Sequence, residues 1–277
     1  MEVYKYLDDR RTKILSDGLI RFTQPKFFND PFEVKPVIKE LGKDPHTVSA
    51  LNENYEQSLR EAYQILPLEA QRLISLADLL KNKLLREKLV PSVLSRMDQQ
   101  TTYLVDTLQT HLVANLGILS LSEVPDNLLM WAHYANEHKG FVVGFFSENE
   151  FFVQKRSEVD QLRHLRKVRY SETRPVLTFS QINDIDDLMV KSADWAYEKE
   201  WRVIQALVDA DRVAGDVHLF KIPFSAFNSV RIGARASQEM KKEIYSLLER
   251  NTELTHVKIY ELSINNKDFG LVEEHIK

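Results

Sequence analysis

"HTVSALNENYEQSLREAYQILPLEAQRLISLADLLKNKLLREKLVPSVLSRMDQQTTYLVDTLQTHL", residues 46–112, differs in kind from the sequence on either side of it. From residue 44 to residue 115 there is no glycine, and apolar residues recur at three- and four-residue spacing. That period places them on one face of a helix, so the stretch reads as several helices. Pro67 and Pro91 are expected to break the run, because proline has no N–H to give to a helix.

Outside this stretch the pattern changes to strands. "VYKYL" (3–7) and "LIRFTQP" (19–25) alternate, with Gly18 closing a short helix between them. After residue 117, "GILSLSEV" (117–124) alternates, and "GFVVGFF" (140–146) is a continuous apolar run suited to a strand buried on both faces. "VRYSE" (168–172), "RPVLTF" (174–179), "EWRVIQALV" (200–208), "VHLFKIP" (217–223), "SVRIG" (229–233) and "HVKIYELSI" (256–264) are further strand candidates. Helical spacing is seen in "NLLMWAHYA" (127–135), capped by Asp126 or Asn127, in "INDIDDLMVKSADWAYE" (182–198), and in "QEMKKEIYSLLER" (238–250), capped by Ser237. Strands often follow strands without an intervening helix. The expected fold is therefore α+β: one domain over residues 1–277, with a mixed, mainly antiparallel sheet built from both ends of the chain and a large all-helical insertion at about residues 44–115.

Composition narrows the function. The chain has 277 residues and a net charge of −4, which argues against a grip on nucleic acid by the whole protein but leaves room for a local basic groove. It has no cysteine, so thiolate metal sites and thiol nucleophiles are excluded. None of its eight glycines forms a GxGxxG or phosphate-loop motif. No apolar run approaches membrane-spanning length and the N-terminus lacks a signal core, so a cytoplasmic protein with no membrane partner is expected.

The densest chemistry lies in "DWAYEKEWRV" (194–203) and "FNDPFE" (28–33). Residues two apart in a strand share a face, so Glu198 and Glu200 are expected to enter one cleft, where like charges would raise one of their two pKa values. Arg202 is placed to pair with Glu200, and Trp201 to face the core. Asn29-Asp30-Pro31 is a turn signal, and the flanking Phe27, Phe28 and Phe32 suggest that the turn packs inward. Asn29, Asp30 and Glu33 are cleft candidates, as are Trp131, His133, Tyr134 and Arg202. The three-residue spacing of Trp131 and Tyr134 also suits core packing. The five-residue spacing of His133 and His138 does not put both on one helical face, so no metal is expected.

"FNDPFE" (28–33), "LSEVPDNLLMWAHYANEHKGFVVGF" (121–145), "WAYEKEWRV" (195–203) and "VRIGARAS" (230–237) together resemble the bacterial family called domain of unknown function 2971. The chain also resembles ADP-ribosyltransferases. These carry a Glu-x-Glu at the start of a strand, a Ser-x-Ser strand before it, and a basic or aromatic NAD contact on the first strand. Here the matching residues are Glu198 and Glu200, Ser120 and Ser122, and Tyr4, Lys5 and Tyr6, with Arg21 on the second strand candidate. The Ser-x-Ser lacks the usual middle Thr, and Lys5 and Arg21 are alternatives for the phosphate contact. The resemblance implies an enzyme that uses NAD as substrate, a toxin or defence effector acting on an acceptor that is a protein or a nucleic acid. Glu200 would stabilise the positive charge that develops at the ribose, and Glu198 would orient or deprotonate the acceptor. Two other readings compete. One is a metal-dependent phosphodiesterase or nuclease using Asp30, Glu33, Glu198 and Glu200, with Lys191 or Lys199 as charge partner. The other is a non-catalytic interaction module presenting the "MWAHYANEHKG" segment.

Overall fold

The computed structural model describes residues 1–35, 37–107, 110, 113–178 and 185–277. The chain divides into two compact units, Met1–Lys35 with Leu112–Arg174 and Asp184–Lys277, and Pro36–His111 with Pro175–Asn183.

The strands in chain order are β1 (Glu2–Leu7), β2 (Leu19–Phe22), β3 (Val37–Ile38), β4 (Leu116–Ser122), β5 (Phe141–Phe146), β6 (Arg166–Lys167), β7 (Arg169–Ser171), β8 (Val176–Leu177), β9 (Val190–Ser192), β10 (Glu200–Ala206), β11 (Arg212–Ala214), β12 (Val217–Lys221), β13 (Phe227–Ile232), β14 (Lys258–Ile264) and β15 (Leu271–His275). The helices are α1 (Ile14–Asp17), α2 (Pro45–Glu53), α3 (Tyr55–Gln64), α4 (Leu68–Leu73), α5 (Leu76–Lys81), α6 (Lys83–Thr107), α7 (Leu128–Tyr134) and α8 (Gln238–Arg250). The fold is α+β, as the sequence predicts.

The larger unit is built on an eight-stranded sheet of order β15-β14-β13-β5-β1-β4-β10-β6. Its one parallel pair, β13 with β14, is joined by the crossover helix α8, as a parallel pair requires. The other pairs are antiparallel, and β1 from the N-terminus lies in the middle of strands that follow the helical stretch. Period-two alternation gives the sheet two different faces. Val3, Leu119, Leu121, Val143, Phe145 and Val203 point to one face, where α8 adds Met240, Ile244 and Leu248 from a single helical stripe. Tyr4, Tyr6 and Val142 point to the other and pack against Trp131 of α7. Asn127 caps α7 by accepting from Leu129 N and Met130 N, and Ser237 caps α8 by accepting from Met240 N.

Strand β1 pairs with β5 along its whole length, from Glu2↔Phe146 to Leu7↔Phe141, but with β4 only at Tyr4↔Ser122. Strand β4 pairs fully with β10, and at Ile118 it bridges to Thr23, just past β2. The sheet therefore forks beyond Tyr4 and Ser122. One wing continues through β1, and the other carries β4 towards the small β11-β12-β2 sheet.

The smaller unit holds α2–α6 and the short parallel pair β3–β8. Asp98 and Thr101 of α6 accept from Gly42 N and Leu41 N, and Asp44 caps α2. Pro67 precedes α4 as predicted, but Pro91 lies inside the 25-residue α6. The helix runs on past it with no N–H at that nitrogen to donate, so the expected break is absent there.

Other local expectations change as well. In the segment read as helical, residues 182–184 lie outside the described residues; the rest forms a 3₁₀ turn (Ile185–Leu188), strand β9 and a second 3₁₀ turn (Ala193–Glu198). Pairing of β9 with β7 overrides the helical spacing. "RPVLTF" contributes only the two-residue β8, and Phe179 lies outside the described residues. Among the described residues no helix is long and apolar enough to cross a membrane.

Candidate functional site

A cluster of buried charge sits at the fork, on the α7 side of the sheet. Lys191 on β9 is at its centre. Its Nζ lies 2.5 Å from Glu198 Oε2, 3.1 Å from Glu200 Oε2 and 3.8 Å from Glu33 Oε2. Arg202, next but one to Glu200 on β10, forks that carboxylate with Nε 2.7 Å from Oε1 and Nη2 2.8 Å from Oε2, and it also contacts Glu33 Oε1. All five side chains are buried, with Arg202 only 1% exposed. Three carboxylates thus meet two cations in a setting where charges survive only when paired and hydrogen-bonded.

The surrounding polar groups fix the geometry. Tyr134 Oη donates to Glu198 Oε1 at 2.7 Å, and Asn29 Nδ2 donates to Tyr134 Oη at 3.1 Å. Ser122 Oγ donates to the Glu198 carbonyl at 2.6 Å and accepts from Val124 N. Tyr170 Oη accepts from Glu200 N at 2.8 Å. The Phe28 ring lies 5.6 Å from the Arg202 guanidinium, and the Trp195 ring 4.9 Å from Lys191 Nζ.

Glu198 and Glu200 reach the same cleft by a route other than strand alternation. Glu198 ends the 3₁₀ turn, Lys199 takes a left-handed conformation (φ 44°), and β10 begins only at Glu200. The reversal at Lys199 turns the Glu198 carboxylate back towards Lys191.

These contacts set the direction of each titration. Burial pushes Glu200 up and Glu198's charge adds to this, while Lys191 and a Ser120 hydrogen bond oppose it. The Arg202 fork, two parallel bonds in a dry setting, opposes it further. Burial alone would lower Lys191, but the charges of Glu200 and Glu198 outweigh it and hold the ammonium well above its ordinary value. Burial pushes the Arg202 guanidinium down to about 9, with Asp30 opposing, so it stays protonated at neutral pH. Burial and the Glu198 carboxylate both push the Tyr134 hydroxyl up, keeping it a hydrogen-bond donor.

A cavity of about 370 Å³ opens onto this cluster, within the range of small-molecule sites. Glu33, Glu198, Glu200 and Lys191 form its charged wall. Tyr4, Tyr6, Phe27, Phe28 and Tyr134 supply aromatic surface. Asn29, Ser120 and His133 also line it. Lys5 spans the fork: its Nζ donates to the Ser120 carbonyl of β4 at 2.8 Å. Burial lowers Lys5 to about 8, with the charges of Glu200 and Glu198 opposing.

Most of the residues singled out from the sequence therefore converge. Four stand apart. Ser122 is fully buried and acts through the Glu198 backbone. Asp30 is buried and accepts from Phe32 N, as an Asx turn does, instead of facing the cavity. Trp131 is a core residue, its Nε1 donating to the Pro125 carbonyl and its ring packed edge-on against Tyr6. Arg21 lines a neighbouring groove. The inward packing expected of the three phenylalanines is seen only for Phe28: Phe27 is 44% and Phe32 60% exposed, each with a cation over its ring. Sequence reading did not find Tyr170, and it named Lys191 only as a charge partner for bound metal. The available signal for Lys191 was a lone lysine between Met189-Val190 and a capping serine. Among the described residues, no group of three or more His, Asp and Glu side chains has a disposition suited to a metal ion.

Residues 130–203 match the model of a family described as "Protein of unknown function (DUF2971)". No curated protein and no solved structure matches the chain. The matched segment carries the last five residues of α7, with Tyr134, then Lys191, Glu198, Glu200 and Arg202, so most of the charged cluster lies within it. Over residues 130–203 the chain is therefore similar to the DUF2971 family, the resemblance that its sequence blocks predict.

Proposed function

We propose that the cavity at the fork takes NAD as a substrate and that the protein is an ADP-ribosyltransferase-like enzyme. The carrying observation is the pair Glu198–Glu200, bridged by Lys191 and facing an aromatic-lined cavity. In the reaction the bond between ribose C1′ and the nicotinamide nitrogen breaks, and its electron pair leaves with nicotinamide. An acceptor nucleophile or water then bonds to C1′ and gives up a proton. Positive charge develops at the ribose, and a fixed carboxylate stabilises it.

The ion pairs favour a division of labour between the two acids. Glu200 is held by both Arg202 and Lys191, so its charge is largely met. Glu198 has one cation and a tyrosine hydroxyl, and keeps more negative charge to offer. On this reading Glu198 faces the ribosyl cation and Glu200 anchors the two cations that position it. Tyr4, Tyr6 and Phe28 offer rings for stacking on nicotinamide or adenine, and Lys5 offers a cation to the pyrophosphate. Lys191 and Arg202 already meet the charge of Glu33, Glu198 and Glu200, which favours this reading over a divalent-metal phosphodiesterase. Action in the cytoplasm, as a toxin or defence effector, is part of the proposal.

The test is thermal. NAD should raise the melting temperature of the wild-type protein in proportion to the logarithm of its concentration above Kd. A shift with magnesium or manganese and none with NAD would favour the phosphodiesterase, and no shift with any of them would favour a non-catalytic module.

A further inference from the structure

A second groove of about 380 Å³ adjoins the cavity and shares Lys5, Tyr6, Thr23 and Tyr134 with it. Its cations are Lys5, Arg10, Arg11, Lys13, Arg21 and Arg212. Only Asp8 and Asp17 oppose them, so six cations against two acids leave the groove at +4 in a chain whose net charge is −4. Such segregation of charge is not needed for folding. Arg10, Arg11 and Arg212 make long or exposed ion pairs at 3.4 to 3.7 Å. Among the described residues no carboxylate pairs with Lys13 or Arg21, and Arg21 Nε is buried without an acceptor.

Where the two cavities meet, the chain also exposes aromatic surface. Phe27 lines the first cavity at 44% exposure, with the Arg21 guanidinium 5.4 Å and Lys26 Nζ 4.7 Å from its ring centroid. A basic groove running into an exposed ring flanked by cations is the chemistry that holds single-stranded nucleic acid: phosphates follow the cations and a base stacks on the ring. The pyrophosphate of one NAD would occupy two such cations, and the groove has six.

We infer that this groove binds the phosphodiester backbone of a single-stranded nucleic acid and delivers one of its nucleotides to the cavity at the fork. This rests on the reading proposed above, since it names the acceptor of the transfer. The nucleophile is an oxygen or nitrogen of that nucleotide. It forms the bond to C1′ as nicotinamide leaves, and its proton passes to solvent or to a carboxylate of the site.

The experiment is fluorescence anisotropy with labelled 12-nucleotide single strands of DNA and RNA, from low salt upward. Binding should weaken steeply with salt, with a log–log slope of about −3 if four phosphates are neutralised. Gln in place of the exposed Arg10, Arg11 and Lys13 together should weaken binding at least about tenfold and make the slope shallower by about 2. The same change at Lys155 and Arg156, outside the groove, should leave binding as it is. Salt-independent binding, no binding of either strand at low salt, or equal binding by the groove variant would overturn the inference. NAD consumption measured separately on the wild type keeps the two ideas apart. Consumption without strand binding removes only the nucleic-acid acceptor and turns attention to a protein. Groove-dependent strand binding without consumption upholds the groove and removes the transferase reading.

Discussion

Lys191 Nζ lies 2.5 Å from Glu198 Oε2 and 3.1 Å from Glu200 Oε2, so one buried ammonium joins the two acids of the Glu-x-Glu. Without that ammonium the two carboxylates, with Glu33 behind them, would repel each other in a region of low dielectric. The geometry that presents Glu198 to the cavity therefore depends on Lys191.

Replacing Lys191 by Met keeps most of its length and removes the charge. The expected loss of stability is about 3–5 kcal/mol, because a buried pair broken from one side leaves uncompensated charge. Lys191→Arg restores the charge and should recover part of that loss. Urea denaturation of the three proteins at neutral pH checks this, and a Met variant as stable as wild type would contradict the picture.

Arg202→Lys tests the fork. Lysine keeps the charge but cannot make the two parallel bonds to Glu200 while also touching Glu33. A cost of about 1–3 kcal/mol is expected by urea denaturation, as for hydrogen bonds to charged groups. No measurable cost would mean that the fork is unimportant.

Ser122→Ala removes a hydroxyl that holds the Glu198 carbonyl from one side and Val124 N from the other. Stability should fall by about 1–2 kcal/mol, the range for a lost buried hydrogen bond. If Glu198 is the reacting carboxylate, kcat should fall more than the stability change explains, with little change in KM. A variant with wild-type kcat would show that the backbone of Glu198 needs no such support.

Lys5 gives a pH dependence whose sign follows from its environment. Its pKa is about 8 in the folded chain against 10.5 for an ordinary lysine, so the unfolded chain holds more protons between those values. The Lys5 contribution to stability should therefore improve as pH rises from about 8 towards 10.5, and be at its least favourable below about 8. The melting temperature of wild type relative to that of Lys5→Met should therefore rise as pH goes from about 8 towards 10.5. A constant difference would contradict a depressed Lys5.

The sequence made the architecture legible wherever periodicity was strong. The alternation of "GILSLSEV", the apolar run of "GFVVGFF" and the stripe of α8 all became the elements they suggest. The segment from 182 misled because its helical spacing is overridden by the pairing of Arg169–Ser171 with Val190–Ser192, a contact between residues about 20 apart that no local period encodes. Glu198 and Glu200 were visible as a spacing, but the left-handed Lys199 that aims Glu198 was not. The contact of Glu33 with Arg202 joins residues from opposite sides of the helical stretch, and the fork depends on where β1 stops pairing with β4. Both are properties of the assembled sheet.

The most direct measurement is NAD consumption by wild type, Glu198→Gln and Glu200→Gln at matched folded fraction. Gln keeps size and hydrogen bonding but lacks the negative charge that a developing ribosyl cation requires. Wild type should consume NAD, Glu198→Gln should be slower by at least about a hundredfold, and its melting temperature should still rise with NAD. Equal rates in all three proteins, or no consumption by wild type even with cell extract as acceptor, would contradict the assignment of this cavity to NAD chemistry.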